Sequence, residues 1–221
     1  MADLNKIRRQ GLIISGLLVA LAIPQLSFRN LLGLGRGVVE GLILEAIWWA
    51  IAVALTTWIL VVERSPLSSI GIRRPTWQTL GGAMIGIVVG MATVMLSYAL
   101  ILPSLGLEMN RGATSSITSL PIIMQLAMFI RAGVVEEILF RGYPIERLQE
   151  LTGSKWIAAL VPGVVFIGGH FAFWGAAQLI VVTLGTLVMT LLYLWRRDLV
   201  SCMIAHASID LIGFTLARVQ S

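Results

Sequence analysis

Seven long apolar runs constrain the fold of this 221-residue chain more than any other feature. An α-helix needs about 20 apolar residues to cross a bilayer, and each run comes close to that length. The runs do not alternate at every second residue, as strands of a membrane barrel would, whereas a helix satisfies its own backbone in lipid. The sequence predicts an all-α, polytopic transmembrane helical bundle with about seven spans. These cover residues 11–28, 38–62, 79–103, 120–142, 155–174, 175–194 and 199–217.

The composition fits a membrane protein. Charged residues make up 12% of the chain, against about 25% in a typical soluble domain. The net charge of +5 would suggest nucleic-acid binding in a soluble protein. Here the basic residues lie between apolar runs, with no basic stripe among aromatics, so they predict membrane topology and no nucleic-acid partner.

The distribution of Lys and Arg predicts a cytoplasmic N-terminus, with the first helix retained rather than cleaved. On that topology eleven basic residues face the cytoplasm and four face the other side. The cytoplasmic set is Lys6, Arg8, Arg9, Arg64, Arg73, Arg74, Arg141, Arg147, Lys155, Arg196 and Arg197, and the opposite set is Arg29, Arg36, Arg111 and Arg218. The short loops and the lack of a transit-like N-terminus favour a prokaryotic plasma membrane.

The connections are short and contain no linker, so residues 1–221 are predicted to form a single membrane domain. Residues 1–119 would supply accessory spans, and residues 120–217 the core helices that carry the polar motifs. The amphipathic stretch 143–151 is expected to continue the fourth helix, through a kink at Pro144.

Two further patterns concern packing. Gly82, Gly86 and Gly90 form two overlapping GxxxG steps in the third span, which predict close helix packing rather than a dimer interface. The single Cys202 lies in an apolar run and is read as a small packing residue.

Ionisable residues inside spans are costly and mark candidate functional sites. Three helices carry the most suggestive groups, and both histidines of the chain are among them. The groups are Glu136-Glu137-Ile-Leu-Phe-Arg141, Phe166-Ile-Gly-Gly-His170 and His206-Ala-Ser-Ile-Asp210. Together they predict one shared polar site.

Helical geometry assigns partners within these groups. Residues four apart share a face, so Glu137 can pair with Arg141, Phe166 with His170, and His206 with Asp210. Glu136 and Glu137 point about 100° apart. If Arg141 neutralises Glu137, Glu136 is the carboxylate left to face the bundle interior.

Three other ionisable residues in the spans receive structural interpretations. Glu40 and Glu45 lie in the second span, Glu45 the deeper of the two, and are expected to make a structural hydrogen bond or to line a water-filled cavity rather than to act in catalysis. Arg131, in the fourth span, is expected to extend its charged end toward the outer surface.

Two histidines and a glutamate suit two chemistries. Glu136, His170 and His206 can bind a divalent metal such as zinc, which would activate water. Alternatively, Glu136 and His170 can act as general bases without a metal, while His206 and Asp210 hold the carbonyl or the developing oxyanion. Both routes lead to amide hydrolysis.

The patterns EExxxR, FxxxH and HxxxD, in this order on three helices, resemble the signature of the CPBP family. That family comprises CAAX prenyl endopeptidases of the Ras-converting type and bacteriocin-processing or immunity proteins, also called the Abi family. The resemblance implies that Glu136 and His170 activate water and that His206 and the residue at position 210 contribute to the oxyanion site. Glu137 and Arg141 would be a supporting pair.

One position departs from the family. Its last motif usually ends in Asn, which can donate a hydrogen bond to an oxyanion, whereas ionised Asp210 cannot. Asp210 could instead orient His206 or bind a metal.

The predicted function is therefore an intramembrane endopeptidase that acts on a peptide or lipid-modified protein in the bilayer. One alternative is a catalytically silent relative that serves as a membrane binding, immunity or assembly factor. A transporter is the other alternative, but the chain has no clear two-halves repeat.

Overall fold

The protein is described here by a computed structural model, which covers residues 2–35 and 37–219. The regular structure within these residues is helical, with no strand. The α-helices are α1 (Ala2–Leu21), α2 (Phe28–Leu31), α3 (Val38–Thr57), α4 (Trp77–Leu96), α5 (Leu102–Ser104), α6 (Arg111–Thr118), α7 (Ile122–Arg131), α8 (Tyr143–Thr152), α9 (Lys155–Arg196) and α10 (Leu199–Val219). Short 3₁₀ segments lie at Ile23–Gln25 and Leu67–Ile70. Single π-turns occupy Trp58–Val62, Ser97–Ile101, Ala132–Glu136 and Ile138–Gly142.

Five of the described helices are long and apolar enough to cross a membrane. They are Leu4–Gln25, Val38–Val62, Trp77–Ser104, Lys155–Arg196 and Leu199–Val219. The all-α membrane architecture is therefore confirmed, while the count of seven spans and the cytoplasmic N-terminus stay predictions. Arg36, which entered the charge count, lies outside the described residues.

The 42-residue helix α9 changes direction at Gly175, where φ is 75° and ψ is 176°. A Cβ placed at Gly163 would lie 3.6 Å from Cγ2 of Thr186, so the two halves lie side by side. Both ends of α9 lie near α8. Its first residue, Lys155, follows α8 closely in the chain, and Arg197, just past its last residue, forms an ion pair with Glu146 in α8. The break falls at the predicted boundary between the fifth and sixth apolar runs, and it makes α9 a helical hairpin.

Helix ends meet at one end of the bundle, called here the Glu63 end. Arg9 of α1 pairs with Glu150 of α8 at 2.9 Å, and Glu63, just after α3, pairs with Arg147 of α8 at 2.7 Å. The backbone N–H of Leu199 donates to the carbonyl of Gly71 at 2.9 Å. These contacts join the accessory helices to the core helices.

The fourth apolar run continues without interruption from α7 through two π-turns into α8. Gly142 and Tyr143 both keep right-handed helical angles, so the predicted continuation through 143–151 is confirmed. The irregularity consists of the two π-turns, which end immediately before α8. Pro144 lies in the first turn of α8, where a wider preceding turn relieves the clash between a proline ring and the earlier carbonyl.

Close packing positions α10. A Cβ at Gly86 would lie 2.9 Å from Cβ of Ala205, and one at Gly90 would lie 2.3 Å from Cδ1 of Ile209. The GxxxG prediction of close helix packing is thus confirmed, between α4 and α10. On the other side of α10, a Cβ at Gly133 would lie 2.8 Å from the carbonyl oxygen of Met203. Cys202 is buried and free, as expected for a packing residue.

Candidate active site

The three polar groups meet at one cavity of about 470 Å³. Its lining includes side chains from both halves of α9, from α10 and from the continuous helix of residues 122–152, called here the motif helix. The lining residues from the predicted set are Glu136, Arg141, Phe166, His170, His206 and Asp210. Glu136 on the motif helix and His170 on the first half of α9 therefore face a common cavity.

Glu137 lies behind the cavity wall and is fully buried. Its Oε1 accepts hydrogen bonds from Arg141 Nη1 at 2.8 Å and from His206 Nδ1 at 2.8 Å. The predicted pairing with Arg141 is present, and the guanidinium also lies 4.5 Å from the centre of the Phe166 ring. Oε2 of Glu137 has no hydrogen-bond partner within the described part of the chain. One carboxylate thus fixes both the arginine and the His206 ring.

Arg131 does not extend toward the outer surface, so that prediction is wrong. Arg131 is only 9% exposed. Its guanidinium forms one ion pair with Glu45 at 3.1 Å and a second with Glu136 at 2.7 Å. The indole of Trp48 packs against it, 5.4 Å away. Burial removes water from the guanidinium of Arg131, and this cost would favour its extension to the surface. Ion pairs with the two carboxylates inside the bundle offset that cost.

Glu136 faces the cavity as expected, but its carboxylate is not free of a charge partner. The π-turn at Ala132–Glu136 brings residues five apart onto the same face, and this spacing separates Arg131 from Glu136. The sequence contained one indication that Arg131 is paired inside the bundle. Glu45 and Arg131 are opposite charges in two different apolar runs, and ionisable residues within spans usually pair with one another.

His170 is held by its own helix. Its Nδ1 lies 2.7 Å from the carbonyl oxygen of Phe166, and the two rings pack with centroids 4.3 Å apart. A carbonyl only accepts, so Nδ1 carries the proton and donates. Nε2 of the neutral ring is then unprotonated and able to accept a proton.

His206 lies between two carboxylates. Nδ1 contacts Glu137, and Nε2 lies 3.6 Å from Oδ2 of Asp210, one helical turn away. The second distance is short enough for charge attraction but longer than a hydrogen bond. Asp210 therefore stands where it can orient His206, which was one of the two roles left open for it.

The predicted metal ligands Glu136, His170 and His206 all line the cavity. Among residues 2–35 and 37–219, no three His, Cys, Asp or Glu side chains are grouped so that they could hold a metal ion. Glu136 is engaged by Arg131, and His206 is engaged by two carboxylates. The residues present do not fit a zinc site in this arrangement, and the set Glu136, His170 and His206 as metal ligands stays a prediction.

Comparisons with known proteins agree with the motif region. Residues 118–212 match the family model described as type II CAAX prenyl endopeptidase Rce1-like. The segment is less than half of the chain and contains all three polar groups. No curated protein matches the chain. No solved structure matches it either. The resemblance to the CAAX protease family is confirmed over this segment, and the apolar helices are typical of an integral membrane protein.

Proposed function

We propose that this protein is an intramembrane endopeptidase. It hydrolyses a peptide bond of a membrane-associated or lipid-modified protein, in a prokaryotic plasma membrane. The observation that carries the proposal is the convergence of Glu136, His170 and His206 on one cavity. The match to a family of endopeptidases supports the reaction class.

Glu136 and His170 are assigned to the activation of water. The carboxylate of Glu136, held by Arg131, and the unprotonated Nε2 of His170 are proton acceptors at the cavity. One of them takes a proton from water while the oxygen of that water forms a bond to the substrate carbonyl carbon. Arg131 is a positioning residue in this scheme, because it fixes the carboxylate that meets the water.

His206 is assigned to the oxyanion. When both ring nitrogens carry protons, Nδ1–H donates to Glu137 and Nε2–H is directed between Asp210 and the substrate oxygen. The oxyanion forms as the carbonyl double bond opens, and a fixed donor at that point stabilises it. The C–N bond then breaks as the proton taken from water passes to the leaving nitrogen. Asp210 orients His206 in this scheme rather than donating to the oxyanion.

The test compares wild type with Glu136→Ala in detergent, on farnesylated CAAX peptides and on unmodified membrane peptides. Loss of a general base reduces the rate by about 10²- to 10⁴-fold. Glu40→Gln is the matched control, because Glu40 is also a carboxylate in an apolar helix but does not line the cavity. Equal cleavage by Glu136→Ala would refute the assignment.

A chelator arm separates the two routes of water activation. The direct route predicts that the cleavage rate is unchanged after treatment with a strong zinc chelator. A rate that falls with chelation and returns with added zinc would replace the direct route by the metal route. A wild type that binds these peptides and cuts none of them would favour the silent binding factor.

A further inference from the structure

The cavity extends from the motif residues along the second half of α9, where its wall carries two buried polar side chains that no motif includes. Gln178 is 7% exposed and Thr186 is 6% exposed, and both line the cavity. Gln178 Oε1 and Thr186 Oγ1 have no hydrogen-bond partner among the described residues. An unpaired buried polar atom costs about 1–3 kcal/mol, so two on one cavity wall need an explanation.

Thr186 differs from the other hydroxyls of these helices. Thr56, Thr93 and Thr215 each donate to the carbonyl four residues earlier, at 2.9, 2.8 and 2.6 Å. This local bond is the usual way for a helical threonine to satisfy itself. Thr186 makes no such bond, and its hydroxyl is left for a group inside the cavity.

Gln178 is half satisfied. Its Nε2 donates to the hydroxyl of Tyr98, and its Oε1 remains as an acceptor. Turning the amide over would exchange the two atoms, and the NH₂ group would then be the unpaired one. One polar atom of Gln178 is therefore left for a ligand in either orientation.

The spacing of the two side chains indicates the shape of that ligand. They are eight residues apart and share a helix face, so they lie about 12 Å apart along the axis. The hairpin pairs Gly163 with Thr186, and the same pairing brings Gln178 to about the depth of His170. A distance of about 12 Å corresponds to about four residues of extended chain.

We infer that Gln178 and Thr186 bind the main chain of an extended peptide of about four residues, which runs from the level of His170 along the second half of α9. An extended peptide offers N–H donors and C=O acceptors at regular intervals, which neither a hydrocarbon chain nor a helix presents. This inference rests on the proposed function and adds that the peptide substrate binds in an extended conformation. Gln178 and Thr186 are binding residues and take no part in the proton transfers.

The test uses two substitutions that keep shape and remove polarity, Gln178→Met and Thr186→Val. The probe is a fluorescent farnesylated CAAX peptide, with KM and kcat from cleavage and Kd measured in the Glu136→Ala background. Each variant is expected to raise KM and Kd about threefold to tenfold, the range for one lost hydrogen bond, with kcat unchanged. Thr190→Val is the matched control, a buried threonine of the same half-helix that does not line the cavity.

Thermal unfolding separates binding from a structural role. Thr186→Val removes only an unpaired buried polar atom, so its melting temperature should equal that of wild type or exceed it. Gln178→Met also removes the hydrogen bond to Tyr98, so this variant is judged by peptide binding alone. Weaker peptide binding in both variants, with an equal or higher melting temperature of Thr186→Val, supports the inference. A lower melting temperature of Thr186→Val, or peptide binding equal to wild type in either variant, would overturn it. A wild type that neither binds nor cuts any peptide would instead refute the proposed function itself.

Discussion

Two buried networks of ion pairs include residues of the motif helix, and only one of them lines the 470 Å³ cavity. At the Glu63 end, Glu63 accepts hydrogen bonds from Tyr143 at 2.5 Å and from Arg147 at 2.8 Å. Arg147 also donates to Ser69 at 3.1 Å. This set, the Glu63 cluster, uses both oxygens of its carboxylate within the protein. None of the four residues borders the large cavity.

The network at the candidate active site also contains buried carboxylates and arginines but is incompletely paired. Glu137 keeps one oxygen without a partner among the described residues, and the hydrogen bond of His170 to Phe166 uses Nδ1 and leaves Nε2 without one. The carboxylate of Glu136 pairs with Arg131 and also borders the open cavity. Burial of charge is thus common to both networks. They differ in that the network at the candidate active site has unused hydrogen-bonding groups, such as Nε2 of His170, beside an open cavity.

The largest expected effect is on chemistry and falls on the open network. His170→Gln keeps a side chain of similar length that can donate to the Phe166 carbonyl, but an amide cannot take a proton at neutral pH. We expect kcat for a cleaved peptide to fall about 10²- to 10⁴-fold. Thermal unfolding should stay close to that of wild type. A kcat within threefold of wild type would remove His170 from the water-activating pair.

The next effect is on stability and falls on the closed network. Glu63→Ala leaves Arg147 as a buried charge that has lost its carboxylate, which costs about 3–5 kcal/mol. Unfolding in detergent with rising SDS measures the loss. The cleavage rate per folded molecule should equal that of wild type, because Glu63 does not line the cavity. A selective loss of kcat with normal stability would break the distinction between the two networks.

A smaller effect should change stability and activity together. Gly133→Ala places a methyl group against the backbone of α10, where Cβ would lie 2.8 Å from the Met203 carbonyl oxygen. Overpacking of this kind costs about 1–3 kcal/mol. Since this contact sets the separation between the motif helix and His206, both the melting temperature and kcat should fall.

Gly81→Ala is the control for this substitution. A Cβ at Gly81 would meet nothing within 4 Å, so its melting temperature and kcat should equal those of wild type. Equal values for Gly133→Ala would show that α10 can move away at no cost to the site.

The smallest effect concerns the exposed edge of the Glu63 end. The hydrogen bond from Arg9 lowers the pKa of Glu150 below its ordinary value of 4.5. A lowered folded pKa means that the stabilisation is complete above pH 4.5 and is lost as the pH falls through the lower folded value. Exposed pairs of this kind contribute about 0.2–1 kcal/mol.

Glu150→Gln should remove only that contribution. The difference in unfolding free energy between wild type and Glu150→Gln should be constant from pH 7 to pH 5 and should shrink toward zero below pH 4.5. A difference that grows on acidification would contradict the assigned sign.

The membrane class, the helical bundle and the set of polar residues that meet could all be predicted from the sequence. They follow from apolar run length and four-residue spacing, which are local properties set by the bilayer and by the helix repeat. The pairs Glu137–Arg141 and Phe166–His170 follow from spacing alone. So does the change of direction near Gly175, which lies between two runs that are each long enough to span.

The pairing of the buried charges could not be predicted from the sequence, because it depends on contacts between helices. Arg131 could not be assigned to Glu45 and Glu136 from spacing, because one partner lies on another helix and the other depends on a π-turn. Likewise, the sequence shows Gln178 and Thr186 only as polar residues within an apolar run. They become part of the cavity wall because α9 folds into a hairpin. Ion pairs between residues far apart in the sequence depend on how the helices pack. Packing is set by close approaches between helices, such as that of Gly133 to α10, and not by the spacing of residues along one helix.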